Sequence, residues 1–142
     1  MFFVTTVTWQ RTPLFRSPRV TELMMNVLEH YHNQKKYELH EFVVMPDHLH
    51  LLLTPAPEIS LERGVQLIKG GFSHRLGKAK RGLTWQESFT NHRIRGEWDY
   101  AHHAEYIRMN PVRARLVGRP ELYPYSSAFS GRAAIHGRVG AV

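Results

Sequence analysis

The sequence predicts an α+β domain, and three observations carry that prediction. Four short stretches with β-branched, aromatic or alternating apolar residues read as strands. Two windows with apolar residues at three- and four-residue spacing read as amphipathic helices. A two-residue Pro-Asp break between two apolar runs reads as a hairpin turn. Taken in order these give strand-helix-strand-strand-helix-strand, with a further helix behind. That is the ferredoxin-like order: an antiparallel sheet with helices on one face, plus a C-terminal helix.

Phe2 to Trp9 is the first strand. Gln10 to Pro18 holds two prolines and reads as a loop. Val20, Leu23, Met24, Val27, Leu28 and Tyr31 then recur at helical spacing, giving a helix over about Arg19 to Gln34. Tyr37 to Met45 is the second strand, with Tyr37, Leu39, Glu41 and Val43 alternating onto one face. Pro46-Asp47 turns the chain, and His48 to Thr54 is the third strand. Pro55-Ala56-Pro57 breaks it. The second helix is expected over Ser60 to about Ala79. Ser60 is its N-cap, and Arg63 rather than Glu at the third position means no capping box. Gly70-Gly71 interrupts this helix and predicts a bend or the close approach of another backbone.

Leu83 to Thr90 reads as the fourth strand. Gly96-Glu97-Trp98-Asp99 opens a third helix, with acids in its first turn as the helix dipole favours. That helix is expected to stop before Pro111, with a short turn over Val112 to Val117. Pro120 to Ser130 is a loop containing Tyr123-Pro124-Tyr125. Residues 1–130 are therefore expected to form one domain, and 131–142 a flexible tail of Gly, Ala and Arg.

Composition narrows the chemistry. There is no cysteine, so disulfides and thiolate metal sites are excluded, leaving His, Asp, Glu, Asn and water as ligands. No apolar run is long enough to span a membrane, and the N-terminus lacks a signal-like pattern, so a cytoplasmic location is expected. The net charge is +7, and it is local. Between Glu62 and Arg119 there are 12 Lys and Arg against 5 Asp and Glu, while the remainder balances. A concentrated basic excess attracts polyanions, of which nucleic acid is the commonest in a cell.

Two spots carry chemistry. His48 and His50 lie two apart on a strand and share one face, while Leu49 takes the other. Two such imidazoles chelate a divalent ion, or simply meet carbonyls and water on a half-buried strand. In the third helix His102, Tyr106 and Asn110 follow one another at four-residue intervals on one face. A tyrosine hydroxyl ionises near pH 10, so it attacks a phosphate only where a metal and positive charge assist it. The alternative is that Tyr106 packs and Asn110 caps the helix before Pro111.

Met45-Pro46-Asp47-His48-Leu49-His50-Leu51-Leu52-Leu53, with Tyr106-Ile107-Arg108-Met109-Asn110-Pro111-Val112-Arg113-Ala114 about 55 residues later, resembles the IS200-like single-tyrosine (HUH) transposases. The likeness is greatest to their REP-associated tyrosine transposase branch. Phe89-Thr90-Asn91-His92-Arg93-Ile94-Arg95 and Tyr123-Pro124-Tyr125-Ser126-Ser127 resemble that branch too. The likeness covers roughly residues 1 to 130. It implies that His48 and His50 are the paired metal ligands, Tyr106 the nucleophile and Asn110 the third ligand, for Mg²⁺ or Mn²⁺. It implies a bacterial, nucleoid-associated enzyme. Such an enzyme cuts and rejoins single-stranded DNA beside palindromic REP-type hairpins through a 5′-phosphotyrosine intermediate, without a nucleotide cofactor.

Lys69, Arg75, Lys78, Arg93, Arg95, Arg113 and Arg115 are then candidates for phosphate contacts, and Trp9, Trp85 and Phe89 for base stacking. His102 has no role that the resemblance assigns; it is structural or assists proton transfer. Whether the protein is a monomer or a homodimer, and whether Tyr106 meets the histidines of its own subunit, is open. Two rival readings remain: a non-catalytic hairpin-binding protein on the same fold, and a metal-dependent phosphodiesterase that uses water. Histidine ligation predicts that activity falls below about pH 6.5.

Overall fold

In a computed structural model, residues 1–77 and 84–131 are described. Four strands, β1 (Phe2–Val7), β2 (Tyr37–Met45), β3 (His48–Pro55) and β4 (Thr90–Arg93), form one antiparallel sheet in the order β2-β3-β1-β4. This is the ferredoxin-like order. Helices α1 (Pro18–Asn33) and α2 (Leu61–Leu76) cover one face. Their core partners are Val4, Phe42, Val44, Leu49, Leu51 and Leu53. The third helix, α3 (Glu97–Arg113), covers the other face over Phe3, Val43, Met45 and Leu52. The period-2 alternation of the strands feeds both layers, and the odd-numbered positions of β1 share the α3 face with His48 and His50.

The caps behave as their chemistry demands. Ser17 and Ser60 accept from the backbone N–H three residues on, at Val20 and Arg63. The Pro46-Asp47 turn joins β2 to β3 and pairs Met45 with His48. Segment 123–127 lies along the free edge of β2: Val44 N–H donates to the Tyr125 carbonyl, Ser127 N–H to the Phe42 carbonyl, and the Tyr123 hydroxyl to the Val44 carbonyl. An open sheet edge is thereby covered.

Four expectations need correcting. The first is strand four, expected over Leu83 to Thr90 and found at Thr90–Arg93, with Leu83 outside the described residues. Trp85 makes one isolated bridge to Thr8, and its indole is buried, donating to the Lys69 carbonyl. The aromatic signal there is thus core packing. The true strand is an edge strand with all four side chains exposed, so no apolar alternation marks it.

The second is the alternation in β2. A bulge between Leu39 and Glu41 shifts the register. Tyr37 and Leu39 face α1 and α2, whereas Val43, on the same parity in sequence, faces α3.

The third is the end of the third helix: α3 runs through Pro111 to Arg113. A proline in the last turn removes one hydrogen bond to Ile107, and burial of Pro111 and Ile107 holds the turn in place.

The fourth is the double glycine, which α2 runs through unbroken and which meets a side chain rather than a backbone. A Cβ on Gly71 would sit 2.9 Å from Tyr31 Cε2 of α1, while one on Gly70 meets open space. Gly70→Ala should therefore raise stability by about 1 kcal/mol, while Gly71→Ala gives no such gain. Chemical denaturation of the two variants checks this. The second helix ends at Leu76 with Gly77 as its C-cap, short of the expected Ala79; Lys78, Ala79 and the tail from 132 lie outside the described residues.

Candidate active site

β3 delivers His48 and His50 to the α3 face, and the fold fixes the orientation of both rings. The Asp47 carboxylate Oδ1 lies 2.7 Å from His48 Nδ1. Thr5 Oγ1, on the neighbouring strand directly opposite, lies 2.7 Å from His50 Nδ1. With each Nδ1 engaged, each Nε2 is the nitrogen left to act as a ligand. A carboxylate on the far nitrogen is a usual support of metal-binding histidines and sets the tautomer of His48, while the Thr5 hydroxyl, which can donate or accept, fixes the orientation of the His50 ring. The two rings are 4.7 Å apart and nearly perpendicular, at 73°. Phe3 stacks on the His50 ring at 5.3 Å and 19°.

α3 brings Tyr106 to the same place. Its ring centroid is 5.3 Å from that of His50 and 6.0 Å from that of Phe3, within one chain. The tyrosine is 41% exposed. Arg113 lies over its ring, with Cζ 4.4 Å from the centroid, and donates to the Tyr106 carbonyl at 2.6 Å. Asn110, one turn beyond Tyr106 on the same helix face, is buried. The structure thus groups His48, His50 and Tyr106, with Asn110 alongside on the same helix. No helix among the described residues is long and apolar enough to cross a membrane.

The electrostatics suit neutral ligands. Burial, with the charges of His48 and Arg113, pushes His50 down to about 3. Burial opposes ionisation of Asp47. Hydrogen bonds from His48 and Arg11 outweigh it and hold the carboxyl below the usual carboxylate range. Burial thus favours the neutral His50 ring, the form that binds a metal, well into mild acid. That burial also shows in stability. Below about pH 6.5 the unfolded chain takes up a proton at His50 that the folded chain refuses. In chelator, stability should fall between about pH 6.5 and pH 3 by up to about 1.4 kcal/mol per pH unit from this residue. Thermal unfolding across that range should show a flatter slope in His50→Gln.

The basic candidates divide. Arg95, Arg113 and Arg115 are exposed on α3 or beside it, and Arg93, exposed on β4, pairs with Phe2 and so turns toward the α1 and α2 face. Lys69 and Arg75 lie on α2, against the opposite sheet face. Lys69 Nζ donates to the Gln86 carbonyl at 2.9 Å, and partial burial lowers its pKa. It holds the 84–89 segment rather than standing free. Among the stacking candidates Trp85 is buried, Phe89 packs on the core, and Trp9 is partly exposed. His102 does not pair with Tyr106; it stacks flat on Trp98. A cavity of about 520 Å³ lined by His32, Tyr37, Glu38 and Thr54 lies at the opposite end of the β2–β3 hairpin from the histidines.

Sequence reading missed the supports: Thr5, Phe3 and Asp47 as ring holders, Arg113 as a partner of Tyr106, and Asp99. The Asp99 carboxylate accepts from Arg95 N–H at 2.8 Å and lies 2.8 Å from His92 Nε2 and 3.0 Å from His103 Nδ1. The first of these contacts, then that with His92, holds its carboxyl below the ordinary range. Ligand atoms of His92, Asp99 and His103 all lie within 4.8 Å of one another, the spacing of a metal cluster. Yet the two imidazoles stack at 4.7 Å and 21°. An ion shared by near-parallel rings sits well out of both ring planes, where imidazole has no lone pair. The arrangement fits a carboxylate clamp that ties the β4 end to the first turn of α3. The aspartate at the start of the Pro-Asp-His run was the one visible signal for a ring holder.

Comparison with known proteins bears on the family and the fold. The chain is 33% identical over 94 residues to a REP-associated tyrosine transposase of Escherichia coli K12, covering 66% of this chain and 55% of that protein. It thus spans about half the length of that relative. A Haemophilus influenzae protein provisionally given the same name is 29% identical over 142 residues, covering 89% of this chain and 78% of the relative. Among solved structures, a REP-associated tyrosine transposase bound to a REP hairpin superposes with a TM-score of 0.78. It shares 26% identity and covers 98% of this chain and 78% of that one. Residues 2–110 match the family described as "Transposase IS200 like", and the chain belongs to that family.

Proposed function

We propose that the protein is a metal-dependent single-strand DNA endonuclease and strand transferase that acts beside hairpin DNA of the REP type, through a 5′-phosphotyrosine intermediate. The observation that carries this is the placing of Tyr106 5.3 Å from His50, within one chain and under the Arg113 guanidinium. The hairpin is suggested by the solved relative, which holds a REP hairpin.

His48 Nε2, His50 Nε2 and the Asn110 side-chain oxygen are the groups that would hold Mg²⁺ or Mn²⁺; all three are neutral donors, and two carry outer-shell support. Such an ion, when bound, polarises the scissile phosphate and offsets its charge. The Tyr106 hydroxyl loses its proton to solvent or a base and attacks phosphorus. The P–O3′ bond breaks, and the 3′ oxygen leaves and takes up a proton. The 5′ phosphate stays on Tyr106 as an ester. Attack by another 3′ hydroxyl reverses the step and joins strands, with no net loss of phosphoester bonds. Arg113 places positive charge over the ring where phenolate character develops. Arg95 and Arg115, exposed beside α3, are proposed phosphate contacts, whereas Arg93, paired with Phe2, turns toward the α1 and α2 face and would meet only a strand that wraps the β4 edge.

The test is incubation with a hairpin bearing a single-stranded flank, in Mg²⁺ or Mn²⁺, followed by denaturing electrophoresis for a covalent protein–DNA adduct. Adduct formation that stops in chelator supports the reading. Binding without cleavage in any metal supports a hairpin-binding protein instead. Cleavage that survives loss of Tyr106 but not of His48 supports hydrolysis by water.

A further inference from the structure

Trp98 is the most exposed large apolar residue described, at 77%, although it lies in the first turn of a long, well-formed helix. It takes no part in either core cluster. Its indole and the imidazole of His102 are parallel within 7°, with centroids 5.3 Å apart. Trp98, His102 and Tyr106 are spaced i, i+4, i+8, so they form one stripe along α3. At 1.5 Å per residue the stripe runs about 12 Å from Trp98 to the tyrosine. His102 is held in turn by an edge contact with His103, which Asp99 fixes. Exposed Arg95 lies just before the stripe begins, and Arg113 covers Tyr106 at its end.

A lone exposed tryptophan needs no explanation, but one pre-stacked on an imidazole, in line with the reactive tyrosine and bracketed by arginines, has the features of a base platform. Every nucleobase offers a π-face, and stacked bases spaced about 3.4 Å apart place three or four nucleotides along 12 Å. The arginines favour a polyanion over an apolar peptide or a second, equally basic copy of this chain.

We propose that Trp98, backed by His102, stacks on one unpaired base of the DNA strand, about three or four nucleotides from the phosphate presented to Tyr106. Trp98 is thus a positioning residue that sets where along the strand the cut falls. The inference rests on the strand-cutting reading for its purpose, but its test does not depend on turnover.

The test is binding of the full-length protein to a hairpin with a single-stranded flank, measured in chelator. Flanks carrying an abasic position, moved one nucleotide at a time, are compared. Trp98→Ala should weaken binding about 5- to 100-fold, and Trp98→Tyr should restore most of it. One abasic position should reproduce the loss, with no further loss when combined with Trp98→Ala. The fold-change should be the same at low and high salt, because stacking releases no counterions. Unchanged affinity in Trp98→Ala overturns the proposal. So does a loss that is equal for every abasic flank and fully additive with each. A shift in oligomeric state with DNA affinity intact assigns the face to a second copy instead, and also overturns it. Failure of the cutting reading looks different: no adduct forms while these binding results stand.

Discussion

Tyr106→Phe is expected to reduce covalent adduct and strand transfer to background, a loss on the order of 10⁴-fold or more. Hairpin affinity should change little. The reason is local. Phe retains the ring that meets His50 at 5.3 Å and Arg113 at 4.4 Å, so packing and the guanidinium contact survive. Only the attacking oxygen is removed. Single-turnover assays with labelled hairpin measure the loss, and binding to the same hairpin in chelator gives the control. An adduct that persists in this variant would remove Tyr106 from the role assigned to it. Cleaved but unlinked DNA would point to water as the nucleophile.

Asp47→Asn should weaken Mn²⁺ or Mg²⁺ binding about 10- to 100-fold and lower cleavage in subsaturating metal, with activity largely recovered at high metal. The carboxylate 2.7 Å from His48 Nδ1 keeps that nitrogen protonated and leaves Nε2 as the donor. An amide can present its NH₂ to Nδ1 and favour the other tautomer, in which Nε2 carries the proton and no longer ligates. Titration calorimetry with metal alone separates this from a folding defect. The Arg11 contact to the same carboxylate is exposed, so its loss adds little. If affinity is unchanged, His48 does not ligate through Nε2.

The outline of the fold was legible because hydrophobic period is a local property. The helical spacing of Val20 to Tyr31 and the apolar runs around Pro46-Asp47 each have one reading that buries them. The fourth strand was not legible, because Thr90–Arg93 is an exposed edge strand whose partner, Phe2 to Thr5, lies far away in the chain. Nor was the shift in β2, since a bulge at residue 40 leaves composition untouched while reversing which residues face which layer.

For the candidate site, sequence alone determined which residues are grouped on which element. His48 and His50 must share a strand face, and Tyr106 and Asn110 must share a helix face, because strand and helix periods are fixed by backbone geometry. Motif spacing pointed to the IS200-like family before any coordinates. Only the tertiary structure decided that α3 lies on the sheet face opposite α1 and α2, the face onto which β3 turns its histidines. It alone put Tyr106 beside His50 in the same chain, Thr5 and Asp47 on the Nδ1 atoms, and Lys69 on a carbonyl. Apart from the adjacent Asp47, those outcomes depend on which layers pack against which, and a one-dimensional pattern carries no term for contacts such as Lys69 to Gln86, Thr5 to His50 or His50 to Tyr106, which lie far apart in the chain.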